Sequence, residues 1–445
     1  MSDARTIHAV SHTHWDREWY FSTLDTQLFA LKAFSELIEA LENNPRFVFH
    51  LDGQSSIFDD FVRLMPEMAH RAQALVAQKR LLIGPWYTQP DLFNISTESL
   101  FRNLRVGIHH AKQAGYCMQV LYLPDTFGSH AQLPQIARAF GLPAILLRRG
   151  YDPNVMGPTE LNWEALNGDS VTTVITPFGY SLAHPERGGR WRNFSRHHLD
   201  EETFPLIARM KTLTASEDLL CPIGGDQVSC DADFERLIDE INHHSDDRWE
   251  VSSYERFFAT LNDKTLPPWR GEFRIPRLAR VHKSIGSSRY DIKKANFDAE
   301  EILTREIGRN ELAAIEALHA YVDAQQSYFA MNQKYAQKIV SSEGKKDGLY
   351  WPVSPGEAPS PLGPAFSPQE PGMGYHGYRF RILPDKTSGF AMVAWPVSYD
   401  HTGVMSFIIN GEDKVYQADL GVESQQKAQA LTTFHPDKNW QPVAP

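Results

Sequence analysis

Seven short apolar runs punctuate the first 230 residues, at 7–10, 47–49, 81–83, 120–123, 144–147, 171–175 and 219–220. Each is too short for a helix and is flanked by turn-forming residues, so each reads as a buried strand. Helical stretches separate them. After the first run, Phe34, Leu37, Ile38 and Leu41 recur at helical spacing, and Asn43-Asn44-Pro45 ends that helix. Alternation of this kind predicts an α/β fold, either a seven-stranded, mostly parallel sheet or an incomplete β/α barrel.

The alternation fades near residue 250. A helix is predicted over about 299–329, with Leu312, Ile315, Leu318 and Val322 on one face. Seven prolines then fall between Trp351 and Pro371, at 352, 355, 359, 361, 364, 368 and 371, which rules out regular helix or central strand there. Strand-like runs follow at 378–383, 390–395 and 404–410. Asn410-Gly411 signals a hairpin turn before Val415-Tyr416. The expected organisation is an α/β domain over 1–297, a helical connector over 298–345 and a small β-rich domain over 346–445.

In parallel α/β folds the functional groups lie beyond the carboxyl ends of the strands. Applied here, that rule collects His14, Asp16, Asp52, Asp91, Asp125, Arg149 and Asp226. Five of the seven are carboxylates, and a metal ion or bound cation would relieve their mutual repulsion. The first strand leads into His12-Thr13-His14-Trp15-Asp16-Arg17-Glu18-Trp19. Residues two apart on an extended chain project the same way, so His14 and Asp16 can serve one zinc or other divalent ion. The same residues could equally cap a strand and a helix. Trp15, Trp19, Trp86, Tyr87, Phe127 and Phe178 belong to the same strand ends. Each alone suits core packing, but clustered with acids they suit the walls of a sugar pocket.

Composition narrows the field. A formal net charge of −11 argues against a nucleic-acid partner. Three cysteines, Cys117, Cys221 and Cys230, make neither a disulfide framework nor a Cys-x-x-Cys metal site. No apolar run is long enough to span a bilayer, and the polar start lacks a signal-peptide core, so the expectation is a cytoplasmic protein with no membrane partner.

With those residues in view, residues 5 to about 296 resemble the catalytic domain of glycoside hydrolase family 38, the retaining α-mannosidases, and within it the bacterial mannosylglycerate hydrolase type. The motifs that carry the resemblance are the 12–19 stretch, Leu-Asp-Gly-Gln at 51–54, Gly-Pro-Trp-Tyr-Thr-Gln at 84–89, Tyr-Leu-Pro-Asp-Thr-Phe-Gly at 122–128, Gly-Asp-Gln at 225–227 and Val-His-Lys-Ser-Ile-Gly-Ser-Ser-Arg at 281–289. The resemblance implies one zinc ion bound by His14, Asp16 and Asp125, with Asp125 also the nucleophile and Asp226 the general acid/base. It further implies a sugar stacked on Trp19 and Arg149 on the nucleophile or a substrate hydroxyl. Asp52, Asp91, Trp86, Tyr87, Phe127 and Phe178 would line the substrate site. A retaining glycosidase sets its two carboxyl groups about 5–5.5 Å apart, and a partly buried Asp226 away from the metal would serve as the acid.

The chain departs from the family where a fourth zinc ligand is expected. Residues 297–345 hold only His319, in Leu-His-Ala-Tyr, outside the His-Asp context of the family; His282 or His319 could substitute. From about residue 298 the chain instead resembles the C-terminal part of a bacterial family of uncharacterised function, so it reads as a fusion of two partial families. Three functions compete: a zinc-dependent α-mannosidase acting on a small or oligosaccharide α-mannoside, mannosylglycerate-like substrates among them; a catalytically silent carbohydrate- or metal-binding fusion protein; and a metal-dependent deacetylase, which would not need the Asp125 and Asp226 pair.

Overall fold

Strand β1 (Thr6–Thr13) is buried at seven of its eight positions, polar His8, Ser11, His12 and Thr13 included. Both of its faces are covered. Ile7 and Ala9 pack with Phe34, Leu37 and Leu41 of the helix Thr23–Asn43, beneath a helical layer. Val10 joins an interior layer with Tyr122, Leu146, Val174 and Phe257. The computed structural model describes residues 4–180, 199–353, 357, 359–363, 374–385 and 389–443. Prolines 355, 364, 368 and 371 lie outside them.

Contacts divide the chain into two units, Met1–Lys293 and Lys294–Pro445. In the first, β1 is followed by β2 (Phe49–Leu51), β3 (Leu81–Leu82), β4 (Val120–Leu123), β5 (Ala144–Leu147), β6 (Glu160–Glu164), β7 (Ser170–Ile175), β8 (Asp218–Ile223), β9 (Arg248–Val251) and β10 (Pro268–Arg270). They form two five-stranded sheets, not a single seven-stranded one. One runs β3-β2-β1-β8 with β9 also paired to β1, and all its pairs are parallel. The other runs β10-β6-β7-β5-β4, parallel except for the β6–β7 pair. The seven apolar runs overlap β1, β2, β3, β4, β5, β7 and β8. What the pattern misses is β6, β9 and β10, whose sequences Glu-Leu-Asn-Trp-Glu, Arg-Trp-Glu-Val and Pro-Trp-Arg are defined by backbone pairing and not by apolar content.

The two sheets enclose the interior layer between them, with Val10, Leu82 and Leu220 from one and Val120, Tyr122, Ala144, Leu146 and Val174 from the other. Met118 N donates to Ile83 O (3.0 Å), joining the sheets between β3 and β4. Within each sheet the turns beyond the strand ends are stitched to their neighbours. His14 N donates to Gly225 O (2.9 Å), Gln227 N to His14 O (2.7 Å), Trp86 N to Gly53 O (3.2 Å) and Thr176 N to Leu147 O (2.8 Å).

In the second unit the helix Tyr290–Asn332, which starts inside the first unit, packs Ala314, Leu318, Tyr321, Val322 and Tyr328 in one apolar cluster with an antiparallel sheet. That sheet is a meander of β11 (Tyr378–Leu383), β12 (Ala391–Pro396), β13 (Met405–Asn410), β14 (Val415–Asp419) and β15 (Gln441–Pro442). The helix is longer at both ends than its apolar spacing predicts. Leu312 is 65% exposed, because it sits about 120° around the helix from Leu318. Buried Gln325 bonds Tyr321 Oη (3.0 Å) and both polar atoms of the Ala336 peptide unit, so its amide is satisfied inside the core. Among the described residues no helix is long and apolar enough to cross a membrane.

The packing around β1 and β2 sets two expected outcomes. A Cβ on Gly224 would lie 2.0 Å from His12 O, so Gly224→Ala must push β8 away from β1. A loss of about 3 kcal/mol in unfolding free energy is expected, read by denaturant titration. Full burial holds the His50 imidazole neutral, with its pKa lowered to about 3. Its Nδ1 meets Ser11 O (3.3 Å), and Nε2 accepts from Tyr254 N (3.2 Å). The unfolded chain gains a proton below about pH 6.5 that folded His50 refuses, so stability is full above that pH and falls toward pH 3. His50→Gln should remove about 1.4 kcal/mol per pH unit from that slope.

Candidate active site

Each carboxyl-end turn contributes a polar side chain, and the buried carboxylate of Asp52 organises the first of them. Asp52 follows β2 in the left-handed conformation (φ 49°) and is fully buried. Its Oδ1 accepts from His14 Nδ1 (2.9 Å), and its Oδ2 accepts from Trp15 N (3.0 Å) and Gln54 Nε2 (2.7 Å). His14 is thereby turned so that its Nε2 faces Asp16 Oδ1 at 3.6 Å. Burial opposes charge on the His14 imidazole, but the carboxylates of Asp52 and Asp16 outweigh it and raise its pKa well above the usual value. Asp52 thus orients a neighbour and has no exposed surface to offer a substrate.

Asp125, two residues past β4, is held by two arginines from the end of β5. Arg148 Nη1 (2.6 Å), Arg149 Nε (3.0 Å) and Arg149 Nη2 all donate to its Oδ1. Among the described residues its Oδ2 has no hydrogen-bond partner. Asp226, past β8, pairs with His14 in a parallel bridge and is exposed, not partly buried as expected. Tyr180 Oη donates to Asp226 Oδ1 (2.7 Å).

Tyr180 ties the groups together. Its ring lies 5.0 Å from that of His14 and 4.8 Å beneath the Arg148 guanidinium, and its carbonyl meets His12 Nε2 at 2.5 Å. Burial drives its phenol pKa far up, and the charges of Asp125 and Asp226 add to this, so it stays a neutral donor. Neither Tyr180 nor Arg148 stood out by motif. The available signal was position: Arg148 adjoins Arg149, and Tyr180 lies five residues past β7.

The remaining expected residues divide. Asp91 accepts from Phe127 N (3.2 Å) and Asn94 Nδ2 (2.5 Å), clamping the turn after Asp125. Phe127 lies beneath the Arg149 guanidinium (5.1 Å). Trp19 is 56% exposed and stacks on Tyr20 at 4.0 Å, open to a ligand. Trp86 is wholly buried with its Nε1 donating to Tyr122 O (3.1 Å), so it is core and not a pocket wall. Trp15 is likewise buried, against Phe34. Tyr87 packs edge-on to His110 (5.4 Å), and Phe178 lies under Arg209 (4.4 Å).

Of the three expected zinc ligands, His14 and Asp16 lie side by side. Asp52 fixes one nitrogen of His14 and leaves the other beside Asp16, a nitrogen and an oxygen donor suited to a divalent ion. Among the described residues, however, no group of three His, Cys, Asp or Glu side chains is arranged to hold a metal. The Asp125 oxygen that is engaged is taken by arginines. His319 pairs with Asp413 in the second unit (2.7 Å), and His282 lies against Phe127 (4.8 Å).

Residues 273–443 match a family described as a protein of unknown function (DUF2950). A Halalkalibacterium halodurans protein, provisionally named a mannosylglycerate hydrolase, is 34% identical over 190 residues, covering 40% of this chain and 21% of its own. Human alpha-mannosidase 2C1 is 25% identical over 308 residues, 67% of this chain and 28% of its own. The crystal structure of an alpha-mannosidase from Enterococcus faecalis V583 superposes with a TM-score of 0.56 at 27% identity, covering 60% of this chain and 31% of that one. The chain thus spans between a fifth and a third of the length of these relatives. Residues 4–272, well over half of the chain, match the glycosyl hydrolases family 38 N-terminal domain, and the chain belongs to that family.

Proposed function

We propose that the chain is a retaining α-mannosidase whose two working carboxyl groups are Asp125 and Asp226. The observation that carries this reading is their unlike surroundings at separate strand ends. Two guanidinium groups hold Asp125 by one oxygen. A neutral phenol holds exposed Asp226 by one oxygen.

In the first step Asp125 Oδ2 forms a bond to the anomeric carbon as the bond to the glycosidic oxygen breaks, and protonated Asp226 gives that oxygen its proton. In the second, Asp226 takes a proton from water as the water oxygen displaces Asp125. Arg148 and Arg149 balance the charge on Asp125 at both ends of the cycle. Tyr180, bonded to Asp226 and stacked under Arg148, fixes the direction of one carboxyl relative to the other. Trp19 offers an apolar face to the sugar ring. A small or oligosaccharide α-mannoside is the proposed substrate class, supported by the names of the relatives above.

Family membership implies a zinc ion, and His14 Nε2 with Asp16 Oδ1 would hold it, with Asp125 proposed as third ligand. When bound, such an ion acts as a template and Lewis acid for sugar hydroxyls. A catalytically silent carbohydrate- or metal-binding protein is the second reading, favoured by the lack of a three-residue metal group among the described residues.

Asp125→Asn and Asp226→Asn should each lower turnover of 4-nitrophenyl α-mannoside by about a thousandfold or more, with unfolding midpoints unchanged. Near-wild-type turnover by either variant refutes its role, and sugar binding without turnover by the wild type favours the silent reading. Purified chain should contain about one zinc by elemental analysis, and His14→Ala should lose most of it.

A further inference from the structure

The helix Thr23–Asn43 carries two apolar stripes, where a surface helix of a globular protein needs one. Phe34, Leu37, Ile38 and Leu41 are buried in the core with Ile7 and Ala9 of β1. The second stripe lies on the opening turns and faces solvent. Leu24, Leu28 and Phe29, with Tyr20 and Phe21 just before the helix, are each between 43% and 74% exposed. The Phe21 ring meets that of Phe29 edge-on at 5.0 Å, and Leu24 and Leu28 stand one turn apart on the same side, so the face is continuous. None of these five side chains has a part in the chemistry above.

Their exposed parts amount to about 600 Å², the upper end of the apolar surface that a monomer leaves in one patch. With its polar edge the face reaches about 800 Å², the area that one side of a standard protein interface buries. That edge is already organised for burial. Glu18 accepts from Thr23 Oγ1, and Arg17 pairs with Asp60 (2.8 Å). Asp25 Oδ2 accepts from Ser22 N (3.2 Å) and Ser22 Oγ (2.7 Å), while Asp25 Oδ1 has no partner among the described residues. Lys32, exposed and 3.9 Å from Glu36, follows seven residues after Asp25 on the same side of the helix. Leu28 and Phe29 lie midway between that acid and that cation. A two-fold axis through Leu28 and Phe29 therefore sets Asp25 of one copy opposite Lys32 of the other, twice over. A parallel arrangement would set like charges together. An anionic lipid surface suits the face poorly, because Glu18, Asp25 and a net charge of −11 would be repelled by its headgroups.

We propose that two copies of the chain associate through this face, the openings of their first helices packed antiparallel about a two-fold axis. Leu24, Leu28 and Phe29 of each copy meet those of the other, and Asp25 of each pairs with Lys32 of the other. Burial of the apolar stripe supplies the affinity, and the two charge pairs fix the direction. The association stands whether or not the chain cleaves mannosides.

The test is sedimentation equilibrium of the full chain over a range of concentrations, with folding checked by circular dichroism. A monomer–dimer equilibrium with Kd of about 10 µM or tighter is expected. Leu28→Glu, Lys32→Glu and Asp25→Lys should each weaken it about tenfold or more. An equimolar mixture of the Lys32→Glu and Asp25→Lys proteins should dimerise again, because the charges are then opposite at both contacts. Asp25 also caps its helix, so Leu28→Glu and Lys32→Glu decide the matter should Asp25→Lys melt early. A chain that stays monomeric at about 100 µM overturns the proposal, whether its face binds vesicles of anionic phospholipid or nothing. A dimer that Leu28→Glu and Lys32→Glu leave intact overturns it too, as do two folded charge variants that stay apart on mixing.

Discussion

A buried carboxylate at the end of a parallel strand needs donors, and Asp52 finds all of them in neighbouring turns. Its side chain holds the His14 ring, the Trp15 amide and the Gln54 amide, while its backbone carbonyl accepts from Gln89 Nε2 (2.5 Å), which also reaches Tyr122 O (3.1 Å). One residue therefore ties the turns after β1, β2 and β3 to the strand that leads to Asp125. Removing it would strand several buried donors at once, which is far costlier than losing a surface contact. The alignment of His14 with Asp16 depends on this anchor.

Around that anchor the site divides its labour by distance from the interior. Asp52, Trp15 and Trp86 are inside and give shape. Asp125 and Tyr180 lie at the boundary, where arginine and phenol partners set their direction. Asp226 and Trp19 face solvent, where a substrate can reach them. Parallel sheets produce this gradation without special devices. Its carboxyl ends gather polar turns in one place, and the apolar layer between the sheets keeps water from their roots.

The join between the two families has a physical side as well. The family matches meet at residues 272 and 273, whereas the compact units divide at 293 and 294. The twenty or so residues between are held to the first unit by Phe273, Ile275 and Val281. They complete the surroundings of Asp125 and Arg149, so the first unit extends beyond the family 38 match. The helix that follows, Tyr290–Asn332, passes from one unit into the other without a break.

Much of this was legible in the order of residues alone. Apolar runs marked seven strands because a parallel strand covered on both faces carries a run of buried apolar residues, and the strand-end rule then gathered His14, Asp16, Asp125, Arg149 and Asp226. Spacing could not reveal which acids are buried. Asp52 and Asp226 look alike in sequence, each beside a glycine, yet one is the most enclosed acid of the site and the other is open. Nor could it distinguish Trp86, turned into the core, from Trp19, turned out of it. Strands β6, β9 and β10 escaped because their partners, and not their composition, make them strands. Tyr180 and Arg148 escaped for the same reason: their roles are distances to other turns, and only folding sets those distances. Local pattern thus determined the elements and the chemical inventory of their ends, while the packing of the two sheets decided which side chains meet.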